Sequence, residues 1–105
     1  MTEISVFDLK RRRDAGEPLV LLDVREPDEI AIASMAGAVT IPMAEIPARF
    51  AELPADVPIV VMCHSGGRSG RVTGYLNANG YDQAVNLAGG IDAWSESIDP
   101  AMARY

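Results

Sequence analysis

The chain holds one cysteine and one histidine in 105 residues. A single thiol rules out an internal disulfide, and a single imidazole rules out a histidine cluster for zinc. The opening Met-Thr-Glu-Ile-Ser lacks the basic and then apolar segments of a signal peptide, so a reducing, cytoplasmic setting is expected. Long hydrophobic runs are missing too. The longest uncharged stretch ends at Ala44 and is broken by Ser34, Gly37, Thr40 and Pro42. It falls short of the roughly 18–20 apolar residues that span a bilayer, so no membrane partner is expected. Positive charge is scarce, with nine Lys and Arg against fifteen Asp and Glu, a formal charge of −6. That balance argues against nucleic acid or an anionic membrane as the main partner. The one basic run, Lys10-Arg11-Arg12-Arg13, is narrower than a nucleic-acid footprint and reads as a solvated helix face.

What is present describes one small globular domain over residues 1–105, with 49% hydrophobic and 23% charged residues. Leu19-Val20-Leu21-Leu22 and Ile59-Val60-Val61-Met62 are apolar without alternation, the habit of strands buried on both faces of a parallel sheet. Val39-Thr40-Ile41 and Ala84-Val85-Asn86-Leu87 are shorter strand candidates. Helices fall between them. Ser5 and Asp8 have capping-box spacing for a helix from about Val6 to Ala15, stopped by Gly16. Pro47 can open a second that buries Phe50 and Leu53. Ser69 can cap a third, with Val72, Tyr75 and Leu76 on one face and Gly80 just past its end. The order implies an α/β fold, a small parallel sheet of about five strands with helices on both faces. Ligands bind such sheets at the carboxyl ends of the strands. That edge gathers Asp23-Val24-Arg25-Glu26, Cys63 and the Gly89-Gly90 pair.

A cysteine that closes an apolar strand is commonly just a small buried hydrophobe. The company of Cys63 argues for more. In Cys63-His64-Ser65-Gly66-Gly67-Arg68-Ser69, two glycines let the backbone wrap its N–H groups inward into an anion-binding nest. The helix that follows adds its positive end, and Arg68 a planar fork of donors. Each of these favours thiolate over thiol. The pattern is that of a nucleophile facing an anionic substrate.

Four segments together resemble the rhodanese homology domain, from about Ile4 to Trp94. Leu22-Asp23-Val24-Arg25-Glu26 is similar to its Asp-Val-Arg-Glu signature, and Gly37-Ala38-Val39-Thr40-Ile41-Pro42 to its Gly-Ala-x-x-Ile-Pro segment. Cys63 to Ser69 fits the active loop Cys-x-x-Gly-x-Arg-Ser. Leu87-Ala88-Gly89-Gly90-Ile91-Asp92-Ala93-Trp94 fits the closing Leu-x-Gly-Gly-x-x-x-Trp. The resemblance implies a sulfurtransferase of the thiosulfate type, with no cofactor and no metal. Cys63 would attack the outer sulfur of a small anionic donor such as thiosulfate and keep it as a persulfide. The amides of His64, Ser65, Gly66, Gly67 and Ser69 would cradle that sulfur while Arg68 bound the donor's anionic end. A thiol, cyanide or thiol-bearing protein would then accept it. One departure from the family pattern is Ala33-Ser34, where relatives usually carry Gly-His.

Two other readings stand beside this one. A catalytically idle rhodanese-like module would bind or regulate, although such members typically lose the cysteine that this chain retains. Related phosphatases space cysteine and arginine by five residues; here four separate Cys63 from Arg68, and the shorter ring suits a sulfur atom better than a phosphate. Arsenate reduction belongs to the same class of alternatives. His64 is expected to face solvent and lend its backbone. Asp23 and Arg25 are expected to buttress the loop through ion pairs. Trp94 and Ile91 read as helix core, and Asp28 and Glu29 as acidic residues at a helix start after Pro27.

Overall fold

A computed structural model describes residues 2–105. Its elements run β1 (Glu3–Ile4), α1 (Val6–Asp14), β2 (Val20–Asp23), α2 (Pro27–Ile32) and β3 (Val39–Thr40). They continue as α3 (Ile46–Arg49, between two short 3-10 turns), β4 (Ile59–Met62), α4 (Gly67–Ala78), β5 (Ala84–Leu87) and α5 (Gly90–Ser97). The five strands form one sheet in the order β1-β5-β4-β2-β3, every pairing parallel.

The two apolar runs became the inner pair, with Val20 opposite Ile59 and Asp23 opposite Met62. Successive side chains of a strand point to opposite faces, so each run feeds two cores. Leu22, Ile59, Val61 and Cys63 join Ile46, Leu53, Val72 and Leu76 beneath α3 and α4. Leu21, Val60 and Met62 join Val6, Leu9, Leu87 and Ile91 beneath α1 and α5. A fully buried Leu or Val contributes about 1.5–3 kcal/mol, and β4 is buried along its whole length. The sheet thus fixes the position of its carboxyl edge, where the chain leaves β4 at Cys63.

The local signals held at most helix ends. Ser5 accepts from the Asp8 N–H at 3.1 Å and starts α1, and Pro47 lies in the first turn of α3. Glu26 and Glu29 form a reciprocal capping box on α2. Two expectations need correction. α4 begins at Gly67 after a left-handed Gly66, so Ser69 is inside its first turn and not its cap. Tyr75 is exposed beside the buried Val72 and Leu76, and meets Phe50 edge-on at 5.6 Å. The two-residue β1 had no signal of its own; it exists because Glu3 and Ile4 pair with Asn86 and Leu87. Among the described residues no helix is long and apolar enough to cross a membrane.

Candidate active site

Three strand ends build the site side by side, as the sheet order requires. β4 delivers Cys63, which is 1% exposed. β2 delivers Asp23 and Arg25, and β5 leads into the Gly89-Gly90 turn. Gly90 packs directly on the cysteine loop. The N–H groups of Ile91 and Asp92, at the start of α5, bond the carbonyls of Cys63 and His64 at 3.0 Å each. A Cβ on Gly90 would lie 2.5 Å from both carbonyl oxygens, and its φ is +60°. Glycine is needed there on two independent grounds.

The loop closes on the sulfur. Gly66, at φ +113°, turns its N–H to Cys63 Sγ at 3.1 Å. The Ser69 hydroxyl lies 3.3 Å from the same atom. Burial pushes the Cys63 thiol up, but the Ser69 hydroxyl and the backbone N–H groups of Ser69, Gly66 and Ser65 outweigh it, and the pKa lies below the ordinary thiol value. The left-handed residue of the Gly-Gly pair is Gly66. Gly67 has ordinary helical backbone and open space where a Cβ would go.

Ser69 also reaches Asn86 Oδ1 on β5, and it has only one hydroxyl proton. With a neutral thiol, Cys63 donates to Ser69 Oγ and Ser69 donates to Asn86. With a thiolate, the Ser69 proton turns to sulfur. Asn86, 2% exposed, meanwhile donates its amide to the Gly66 carbonyl and to Glu3 at 3.1 Å each. It ties the loop to two strands. Asn86 was not read as a site residue; the signal that could have found it is a polar residue inside the run Ala84-Val85-Asn86-Leu87.

Arg68 reaches the rim but not as a free cation. Its Nη1 and Nη2 grip the two oxygens of Glu29 at 2.6 and 2.8 Å. The guanidinium, together with the Tyr105 hydroxyl at 2.7 Å, holds the Glu29 carboxyl at about 2, below the usual carboxylate range, against the effect of burial. Arg25 is fully buried and pairs with Asp23 at 2.7 Å. Its remaining N–H groups donate to the Ala33 carbonyl at 2.8 Å and the Tyr105 hydroxyl at 3.0 Å. The expected ion pair is therefore present, yet it braces α2 and the Tyr105 region. His64 does not simply face solvent: its ring stacks on Tyr105, centroids 4.1 Å apart. Glu29 and Tyr105 were missed as site residues because they come from α2 and from a segment without local pattern. Among the described residues no cluster of side chains could hold a metal ion.

Comparisons with known proteins agree with this architecture. The profile of the rhodanese-like domain matches residues 5–97. A sulfurtransferase from Allochromatium vinosum is 39% identical over 103 residues, which cover 98% of this chain and 96% of that one. The putative sulfurtransferase YtwF of Bacillus subtilis is 41% identical over 98 residues, 93% of this chain and 94% of its own. The crystal structure of a rhodanese-related protein from Thermoplasma volcanium superposes with a TM-score of 0.85 at 32% identity, covering 93% of this chain and 94% of that one.

Proposed function

Because the chain belongs to the rhodanese-like domain family, we propose that it is a sulfurtransferase that carries sulfane sulfur on Cys63. The observation behind this reading is the sole thiol with the Gly66 N–H at 3.1 Å and the Ser69 hydroxyl at 3.3 Å on its sulfur. Donors aimed at that atom stabilise a thiolate, and the thiolate is the nucleophile. The Cys63 thiolate attacks the outer sulfur of a donor. The donor's S–S bond breaks as the new one forms, and the leaving group departs with the bonding pair, as sulfite when the donor is thiosulfate. The persulfide then meets a thiol or cyanide, which takes the outer sulfur and returns the Cys63 thiolate.

The same donors serve both halves. The Gly66 amide and the Ser69 hydroxyl stabilise the attacking thiolate, and again the thiolate that leaves when the acceptor removes the sulfur. Gly67 and the other loop amides would steer the donor, with Arg68 at the rim in its pair with Glu29 and a reducing cytoplasm as the setting. The relatives, a sulfurtransferase and a putative sulfurtransferase, support the same class of reaction. Release of thiocyanate from a sulfane donor and cyanide tests it. Turnover that disappears in Cys63→Ser is expected. Turnover that survives this change would remove Cys63 as the sulfur carrier, and none with a folded wild type across sulfane donors would leave an idle binding module as the better reading.

A further inference from the structure

An anionic donor needs a free cation at the mouth of the site, and the arginines around it are already engaged. Arg25 is held by Asp23 at 2.7 Å, Arg68 by Glu29 at 2.6 Å, and Arg104 by Asp92 at 2.9 Å. Arg71, one turn beyond Arg68 on α4, lies in a separate cleft with Met43, Ile46, Pro47 and Tyr75. The Glu29–Arg68 contact is the decisive one. It is bidentate, the geometry in which guanidinium and carboxylate bind best, and it occupies one N–H on each terminal nitrogen, so a donor's oxygens would have to share the guanidinium with Glu29. Glu29 is also fixed from its other sides. Its carboxylate takes the Tyr105 hydroxyl at 2.7 Å and the Glu26 N–H at 3.2 Å, and its backbone carbonyl takes Arg25. The side chain is only 17% exposed.

Given the sulfur-transfer reading above, we propose that Glu29 is a specificity-determining residue that turns the site away from dianionic donors and towards hydropersulfides of thiols. Thiosulfate carries two charges and must either displace Glu29 from Arg68 or share Arg68 with that carboxylate. A hydropersulfide, R–S–SH, presents at most one charge at its reacting end and needs no guanidinium. The Cys63 thiolate takes its outer sulfur, giving Cys63–S–SH, and R–S⁻ leaves with the bonding pair. No outside oxidant or reductant is required. The backbone donors at Gly66 and the Ser69 hydroxyl suffice for that transfer.

Glu29→Gln tests this by removing the charge; its one amide oxygen can keep either the Glu26 N–H of the capping box or the Tyr105 hydroxyl, which Glu29 holds on different oxygens. Single-turnover persulfide formation on Cys63 is followed with thiosulfate and with the hydropersulfide of 2-mercaptoethanol, which has no charge elsewhere. Removing one negative charge within a few ångströms of a dianion should raise the thiosulfate second-order rate about tenfold or more. The rate with the hydropersulfide should change by less than about threefold, since its single charge depends less on Arg68. Glu29→Asp, which keeps the charge, should leave the donor preference on the wild-type side. An unchanged ratio of the two rates in Glu29→Gln, or a ratio shifted equally by Glu29→Asp, overturns the assignment while leaving sulfur transfer standing. Failure of both donors to load wild-type Cys63 would overturn the sulfur-transfer reading itself, and this one with it.

Discussion

Alanine at Gly90 and alanine at Gly67 should have opposite effects, although both glycines border the same loop. At Gly90 the new Cβ would sit 2.5 Å from the carbonyl oxygens of Cys63 and His64, at φ +60°. The left-handed conformation costs an L-residue about 1–2 kcal/mol. Relief of the contact requires α5 to withdraw from the loop and give up the Ile91 and Asp92 hydrogen bonds, at about 1 kcal/mol each. Together these amount to roughly 3–4 kcal/mol, a large part of the ~5–15 kcal/mol that stabilises a domain. For a chain of this size that corresponds to a fall in Tm of roughly 15–25 °C. At Gly67 no heavy atom lies within 4 Å of the Cβ position and φ is ordinary. There alanine reduces the freedom of the unfolded chain and should stabilise by about 0.4–1 kcal/mol, raising Tm by a few degrees. Thermal melts followed by circular dichroism compare the two variants with wild type. A Gly90→Ala protein that melts with wild type, or a Gly67→Ala protein as damaged as Gly90→Ala, would refute the packing argument.

Three further outcomes follow from the hydrogen bonds. Ser69→Ala removes the side-chain donor to Cys63 and should slow iodoacetamide alkylation near neutral pH by about tenfold, with the midpoint of the rate–pH profile moved up; an unmoved midpoint would take Ser69 out of thiolate stabilisation. Arg25→Met strands a buried Asp23 and should cost about 3–5 kcal/mol in denaturant unfolding, with part recovered when Asp23→Asn is added; strictly additive losses would contradict the pairing. Glu29, lowered from 4.5 to about 2 in the folded protein, binds its proton more readily in the unfolded chain. Its contribution to stability is therefore complete above pH 4.5 and is lost as pH falls towards 2. Stability measured over that window should fall more steeply in wild type than in Glu29→Gln, and parallel curves would count against the shift.

The parts of the fold that were legible from sequence are those set by short-range physics. Ile59–Met62 reads as a doubly buried strand from its unbroken apolar run, and Ser5 and Pro47 carry their roles in their own side chains and backbones. The convergence of Asp23, Cys63 and Gly89-Gly90 followed from one rule about parallel sheets and was found in place. What could not be read depended on partners distant in the chain. Two adjacent glycines look alike until the loop around Cys63 decides that Gly66 turns left-handed and Gly67 opens α4. Glu29 was read only as an acidic residue at a helix start, and that local reading hid its grip on Arg68, 39 residues away. Tyr105 sits in no periodic segment, and only the fold brings it onto His64. Asn86 also went unread, although it had a local signal: an amide inside an apolar strand asks for buried partners.

Whether Cys63 Sγ carries the sulfur can be read from the mass of the intact protein. Reduced protein is exposed to thiosulfate or a hydropersulfide, freed of excess donor and weighed, then weighed again after cyanide. The expected result is a gain of one sulfur atom, located on Cys63, absent in Cys63→Ser and reversed by cyanide with release of thiocyanate. A folded, fully reduced protein whose mass stays unchanged with every sulfane donor, or whose added sulfur survives in Cys63→Ser, would contradict it.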